Sequence, residues 1–260
     1  MIPAAGARFR ALAWAVLGLS LSLSLAACRT AQAPQRYTPA ASGSAPSRPA
    51  SVEHFRLDPA QSEVLILVYR DGPMAALGHN HVLSVHELSG EAALPVDSTA
   101  HSPGREHPEL ASFALEFPVA AIAVDEPALR AQQGTGFEGA LDAPSIEGTR
   151  THMLGPLLLD ASRFERIRLE SAALQAEGDH WLATLHIVVR DYEAQAQVPI
   201  ALQVDAGRLL ATGEFDLTHA QLGLKPYSVA LGALRVAETM HVRYRLLARR
   251  VPASDAPEAP

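Results

Sequence analysis

Cysteine is almost absent from this chain of 260 residues. Cys28 is the single one, which excludes a fold stapled by internal disulfides. Lysine is equally scarce, with Lys225 alone among 21 basic residues, and aromatic side chains make up only 5% of the chain. Basic residues are outnumbered by 28 acidic ones, giving a formal net charge of −7. That balance excludes a broad basic surface for neutralising phosphates, so nucleic acid is not an expected partner. Long hydrophobic runs are missing but for one, Ala11 to Ala27, which serine and glycine interrupt and which falls short of a membrane span. A phosphate loop is missing too, because Gly134-Thr135-Gly136 has no lysine after it and no strand-to-helix setting. No nucleophile is paired by spacing with an acid–base partner, so the pattern does not suggest an enzyme.

What is present begins with the N-terminus. Arg8 and Arg10 precede the apolar run, the layout of a secretory signal over residues 1–27. The run ends in Leu25-Ala26-Ala27-Cys28, which resembles the lipobox of bacterial lipoproteins. That resemblance implies acylation of Cys28 and a lipid-anchored protein of the cell envelope. Arg29 is not the aspartate that retains many such proteins at the inner membrane, so the outer membrane, facing the periplasm, is favoured. The alternative is an ordinary signal peptide with a cysteine near its cleavage site. Residues 28–51 are built from Ala, Pro, Ser, Gln and Arg with few large apolar groups, a composition that cannot offset the entropy of ordering and reads as a tether. Residues 250–260 read as a loose tail, leaving 52–249 as one folded domain.

Within it, period-two alternation marks strands with one dry and one wet face. From Ala194 to Val204, Ala196, Val198, Ile200, Leu202 and Val204 point one way and Gln195, Gln197 and Gln203 the other. Near the C-terminus Val242, Tyr244 and Leu246 alternate with His241, Arg243 and Arg245. Further strands are predicted at 63–69, 82–94, 111–124, 166–173, 181–190 and 208–217, and short helices around 126–132 and 146–154. Eight alternating strands predict an all-β, antiparallel barrel that buries its edges by closure, its interior either filled or holding one small ligand. A two-sheet sandwich is the competing architecture.

Several motifs then fall in a telling order. Phe55, Asp58 and Ser62 precede an apolar strand, and Met153, Leu159-Asp160 and Phe164 lead into Ile167-Arg168-Leu169-Glu170-Ser171. Leu185-His186-Ile187-Val188-Val189-Arg190-Asp191 follows, and then Gly213-Glu214-Phe215-Asp216-Leu217, Leu222-Gly223-Leu224-Lys225-Pro226-Tyr227-Ser228 and Gly232-Ala233-Leu234-Arg235-Val236. From Phe55 to Leu247 the chain resembles the YceI-like family of secreted, lipocalin-like proteins that bind polyisoprenoids or similar amphiphiles. The resemblance implies a lipocalin-like barrel whose hydrophobic lipid ligand lies in the pore, with polar residues at the mouth. A barrel filled by its own side chains, acting as a structural envelope module, is the alternative.

Leu77-Gly78-His79-Asn80-His81-Val82 supplies the chemistry-bearing residues. Two histidines two apart on a strand share a face, so His79 and His81 could converge on zinc or copper with His86 as third ligand, His152 and His54 being further candidates. The same pair could instead meet a lipid headgroup, with Arg150 and His152 beside them at the mouth. A metal-dependent hydrolase around His79 and His81 is the reading from a different functional class. His101 and His107 fall in a loop-like segment, and Arg163, Arg166 and Arg168 read as a solvated strand face.

Overall fold

The computed structural model describes residues 51–96, 105 and 107–252. The predicted signal segment, most of the tether, Cys28, and the tail beyond residue 252 lie outside the described residues.

Strands β1 (Ser51–Leu57), β2 (Glu63–Asp71), β3 (His81–Val85), β4 (Ser89–Val96), β5 (Ser112–Pro118) and β6 (Ile122–Val124) come first. Helices α1 (Pro127–Ala131) and α2 (Ala143–Leu154) follow. The chain then completes β7 (Arg166–Glu177), β8 (His180–Val189), β9 (Tyr192–Asp205), β10 (Arg208–Thr218), the two-residue β11 (Ser228–Val229) and β12 (Leu234–Arg250).

These strands build eight antiparallel staves. The first three staves are each broken once: β2 continues β1, β3 is continued by β4, and β5 is continued by β6. The pairing shows this, since β1 and β2 pair in turn with β4 and β3, and these with β5 and β6. The last five staves are β7, β8, β9, β10 and β12, each paired to the next. β5 joins β7, and the ring closes where Phe55 of β1 pairs with Arg250 of β12. Closure decides against the sandwich, because a ring has no sheet edge to leave exposed.

Consecutive staves are sequence neighbours, so the barrel is an up-and-down meander with short turns. One pole carries the turns Glu177-Gly178-Asp179 and Asp205-Ala206-Gly207. The other carries the loop 72–80, helix α2, and the segment 219–233. For brevity this second pole is called the mouth.

The eight predicted strands correspond to the eight staves, with two corrections. The segments 82–94 and 111–124 are not single strands. Glu87 adopts φ 53°, a left-handed conformation that interrupts the ladder, and Pro118, which has no N–H to donate, leads into a 3-10 turn at Val119–Ala121. The second correction is at the start, where β1 precedes the first predicted strand. Its break from β2 is held by Ser62, whose hydroxyl donates to Asp58 O at 2.8 Å and accepts from Leu247 N at 3.0 Å. β12 runs to Arg250, one residue beyond the 52–249 expected for the folded domain.

Alternation works as expected. In β8 and β9, Trp181, Ala183, Leu185, Ile187 and Val189 and then Ala194, Ala196, Val198 and Ile200 are buried, and the intervening residues face outward. α2 begins a turn before the predicted Ile146, because Asp142 accepts from Ser145 N at 2.9 Å as the N-cap and Pro144 suits the first turn. On the outside of β2 and β3, a separate apolar cluster of Leu65, Leu67, Val82 and Phe137, with Leu129 of α1, fixes the segment after β6 against the wall.

Candidate functional site

The barrel interior is not filled. A cavity of about 440 Å³ lies at the mouth end, within the range of small-ligand sites. Its wall is apolar, with Ile66, Val68, Phe117, Met153, Ile167 and Val242 among the lining residues. A second cavity of about 140 Å³ lies deeper, walled by such residues as Leu185, Val198, Phe215 and Leu246. Phe117 and Val242 line both, so they stand between the two chambers.

Polar groups gather at the mouth. His79, His81 and His152 line the larger cavity, as does His219, together with Arg70, Arg235 and Tyr227. Among the described residues no carboxylate lines it. Strand pairing explains His81, which sits opposite the inward-facing Val68 while Val82 sits opposite the outward-facing Leu67; His79 lines the cavity from the loop just before β3. The two rings are edge-on with centroids 6.4 Å apart. His152 at the end of α2 packs on Tyr227, with ring centroids 4.8 Å apart.

His81 is oriented from behind. Its Nδ1 donates to Asp125 Oδ2 at 2.6 Å, so Nδ1 carries the proton and Nε2 is left for the cavity. Asp125 is 1% exposed, and its Oδ1 accepts from Val82 N at 3.0 Å and from Arg130 Nη1 at 2.8 Å. Arg130 is itself buried and also donates to Asn80 O at 2.6 Å and to Gly139 O at 3.2 Å. Burial by itself would raise the Asp125 pKa. The hydrogen bonds from His81, Val82 and Arg130, with the electrostatic pull of His81, outweigh it and hold the carboxyl below its ordinary value. Asp125 has φ 53°, which turns the chain out of β6 and brings its carboxylate back toward His81.

His219 is fixed in the same sense: Nδ1 donates to Glu238 O at 3.0 Å, which leaves Nε2 as the other nitrogen at the cavity wall.

Two sequence expectations need correction. Arg150 does not line the cavity. Its guanidinium donates to Ile122 O at 2.8 Å and Ala120 O at 3.0 Å, stapling α2 to the start of β6. His86 does not join His79 and His81. It follows the end of β3, and its Nε2 meets Glu126 Oε2 at 2.9 Å beside Ser84, on the outward face. His54 pairs with Ala93 near the opposite pole. Among the described residues no group of three or more His, Cys, Asp or Glu side chains is arranged to hold a metal ion.

His219, Arg70, Asp125 and Arg130 were not singled out from the sequence. His219 lies two residues after the Gly213 to Leu217 motif, and that nearness was the available signal. Asp125 gave none, because its role arises from a contact 44 residues away.

No protein-family model matches the chain, and no curated protein matches its sequence. Solved structures do match in fold. BcnA of Burkholderia cenocepacia aligns over 98% of its own length and 74% of this chain at 12% identity, with a TM-score of 0.50. The YceI protein of Campylobacter jejuni aligns over 84% of its length and 65% of this chain at 6% identity, with a TM-score of 0.41. Fold and cavity together define a lipocalin-like, closed antiparallel barrel with an apolar interior. This is the architecture that the YceI-like motifs implied, and it is shared with BcnA.

Proposed function

We propose that this protein binds a long-chain amphiphile, a polyisoprenoid or similar lipid, with the tail in the barrel and the head among the histidines of the mouth. The observation that carries the reading is the distribution of polarity: the walls of both chambers are mainly apolar, the histidines and arginines gather around the opening of the larger one, and the smaller adds Glu91 and Tyr244. About ten buried methylenes gain roughly 8 kcal/mol at about 0.8 kcal/mol each, before the entropy of ordering the chain and losing its free motion is subtracted. The surplus suits a reversible carrier. Burial of a tail needs no chemistry, and we read the protein as a binder for carriage, storage or stress response.

The lipobox-like Leu25-Ala26-Ala27-Cys28 supports an acyl anchor at Cys28 and a place in the bacterial envelope, the outer membrane facing the periplasm. Labelling with radioactive palmitate tests this part, and a Cys28→Ser protein that still takes label would overturn it. Native mass spectrometry tests the binding reading. The protein should carry an adduct of lipid mass, released by organic solvent and restored by a C16 to C20 chain. A protein that holds no lipid and takes up no chain of that length would refute it.

A further inference from the structure

The large apolar side chains that the fold leaves exposed are concentrated at one pole. Nine are exposed among the described residues: Tyr69, Met74, Leu77, Leu110, Leu157, Tyr192, Tyr227, Val229 and Leu231. Only Leu110, just before β5, belongs to the pole opposite the mouth. Three leucines stand out furthest and come from three separate loops. Leu231 is 109% exposed, Leu157 88% and Leu77 68%. Leu231 lies in the turn between β11 and β12, where Ala230 and Leu231 hold φ of 51° and 56° in succession. Such a conformation is costly for residues with a side chain, and here it presents a leucine to solvent.

We propose that this rim is a docking surface for a lipid bilayer. Two observations select a membrane as the occupant. The first is the nearness of rim and lumen: Tyr227 belongs both to the rim and to the cavity lining, and Leu158 and Leu159, next to Leu157, also line the cavity. The second is exposure: Leu77, Leu157 and Leu231 reach solvent from three loops of one pole, a spread of apolar side chains that a bilayer can take up together. The charges around them are mixed: Arg70 and Lys225 make no ion pair among the described residues, and neither do Glu138, Asp142 and Glu147. Arg235 is paired with Asp71 at 2.6 Å. Among the described residues no helix is long and apolar enough to cross a membrane, so the contact is a surface one. Docked in this way, the open end of the barrel faces the acyl chains, and a tail can pass between bilayer and cavity without crossing water.

The inference rests on the binding reading only for its purpose, and its test is separate. The closed ring and its core lie within Ser51–Arg250, so residues 48–260 form a self-contained barrel without the lipobox. This fragment should float with vesicles of phosphatidylglycerol and phosphatidylethanolamine, and should still do so at 0.5 M salt, because apolar side chains make the contact. Leu157→Gln with Leu231→Gln should cut its partitioning about tenfold or more, while Leu110→Gln should leave it unchanged. All three positions are exposed, so circular dichroism should show intact folds. A fragment that does not float, or a double variant that floats as well as its parent, overturns the proposal. So does a fragment that forms dimers through Leu157 and Leu231 in place of binding vesicles. A fragment that floats yet takes up no alkyl chain retains the docking surface and loses the carrier function.

Discussion

His81 reaches through the barrel wall to Asp125, Nδ1 to Oδ2 at 2.6 Å, and the carboxylate it meets is shared with the buried Arg130. A cavity residue is thereby coupled to a buried ion pair outside the lumen, and Asp125 serves stability and orientation together. Replacing Asp125 with Asn leaves Arg130 without a compensating charge. Breaking a buried pair in this way costs about 3–5 kcal/mol. Urea unfolding of Asp125→Asn should show a loss of that order, with the slope unchanged.

The same carboxylate makes the barrel sensitive to acid. Because the folded-state pKa of Asp125 lies below its unfolded value near 3.9, its contribution is fully present above about pH 4 and is lost as pH falls through the folded value. Stability measured between pH 6 and pH 3 should therefore fall toward the acid end, and part of that slope should vanish in Asp125→Asn.

Phe117 sets how far a tail can reach, since it stands with Val242 between the two chambers. Phe117→Ala should join them and shift the preferred chain to a longer one by several methylenes, at a stability cost of about 3–5 kcal/mol. Phe117→Leu, which costs less, should move the preference the same way. Competition among fatty acids of graded length reads the shift, and an unchanged profile in both variants would remove Phe117 from this role.

His81→Phe keeps an aromatic ring in place and loses Nε2, together with the Nδ1 donor to Asp125. A head that hydrogen-bonds there should bind more weakly by about 1–2 kcal/mol, or roughly 5- to 30-fold. A purely alkyl probe should be unaffected. Titrating both probes by fluorescence separates recognition of the head from damage to the pocket.

Gly213 allows the barrel to seat Tyr244, its cross-strand partner, whose hydroxyl donates to Pro199 O at 2.6 Å. A Cβ at Gly213 would fall 2.4 Å from Pro199 O and 2.5 Å from the Tyr244 hydroxyl, distances that require backbone to move. Burial raises the Tyr244 pKa above its ordinary value, so the hydroxyl stays protonated as a donor. Gly213→Ala should lower the unfolding midpoint and weaken the near-ultraviolet signal of Tyr244.

Alternation along β8, β9 and β12 was legible because each strand has one dry face, and a period of two needs no knowledge of the partner strand. The order of the motifs from Phe55 to Val236 added the barrel, whereas the spacing of His79 and His81 argued from a shared strand, and only His81 lies on one. The breaks in the first three staves were less visible, since Glu87 carries no local mark of its left-handed backbone and apolar residues continue through them. By itself, then, the sequence determined the number of staves and the inward faces. Only the tertiary structure decided that the lumen stays open, that Arg150 and His86 turn away from it, and that Asp125, Arg130 and His219 complete the site. The reason is physical: a strand's face is set by neighbours along the chain, whereas a cavity and a buried ion pair exist only once distant staves have closed.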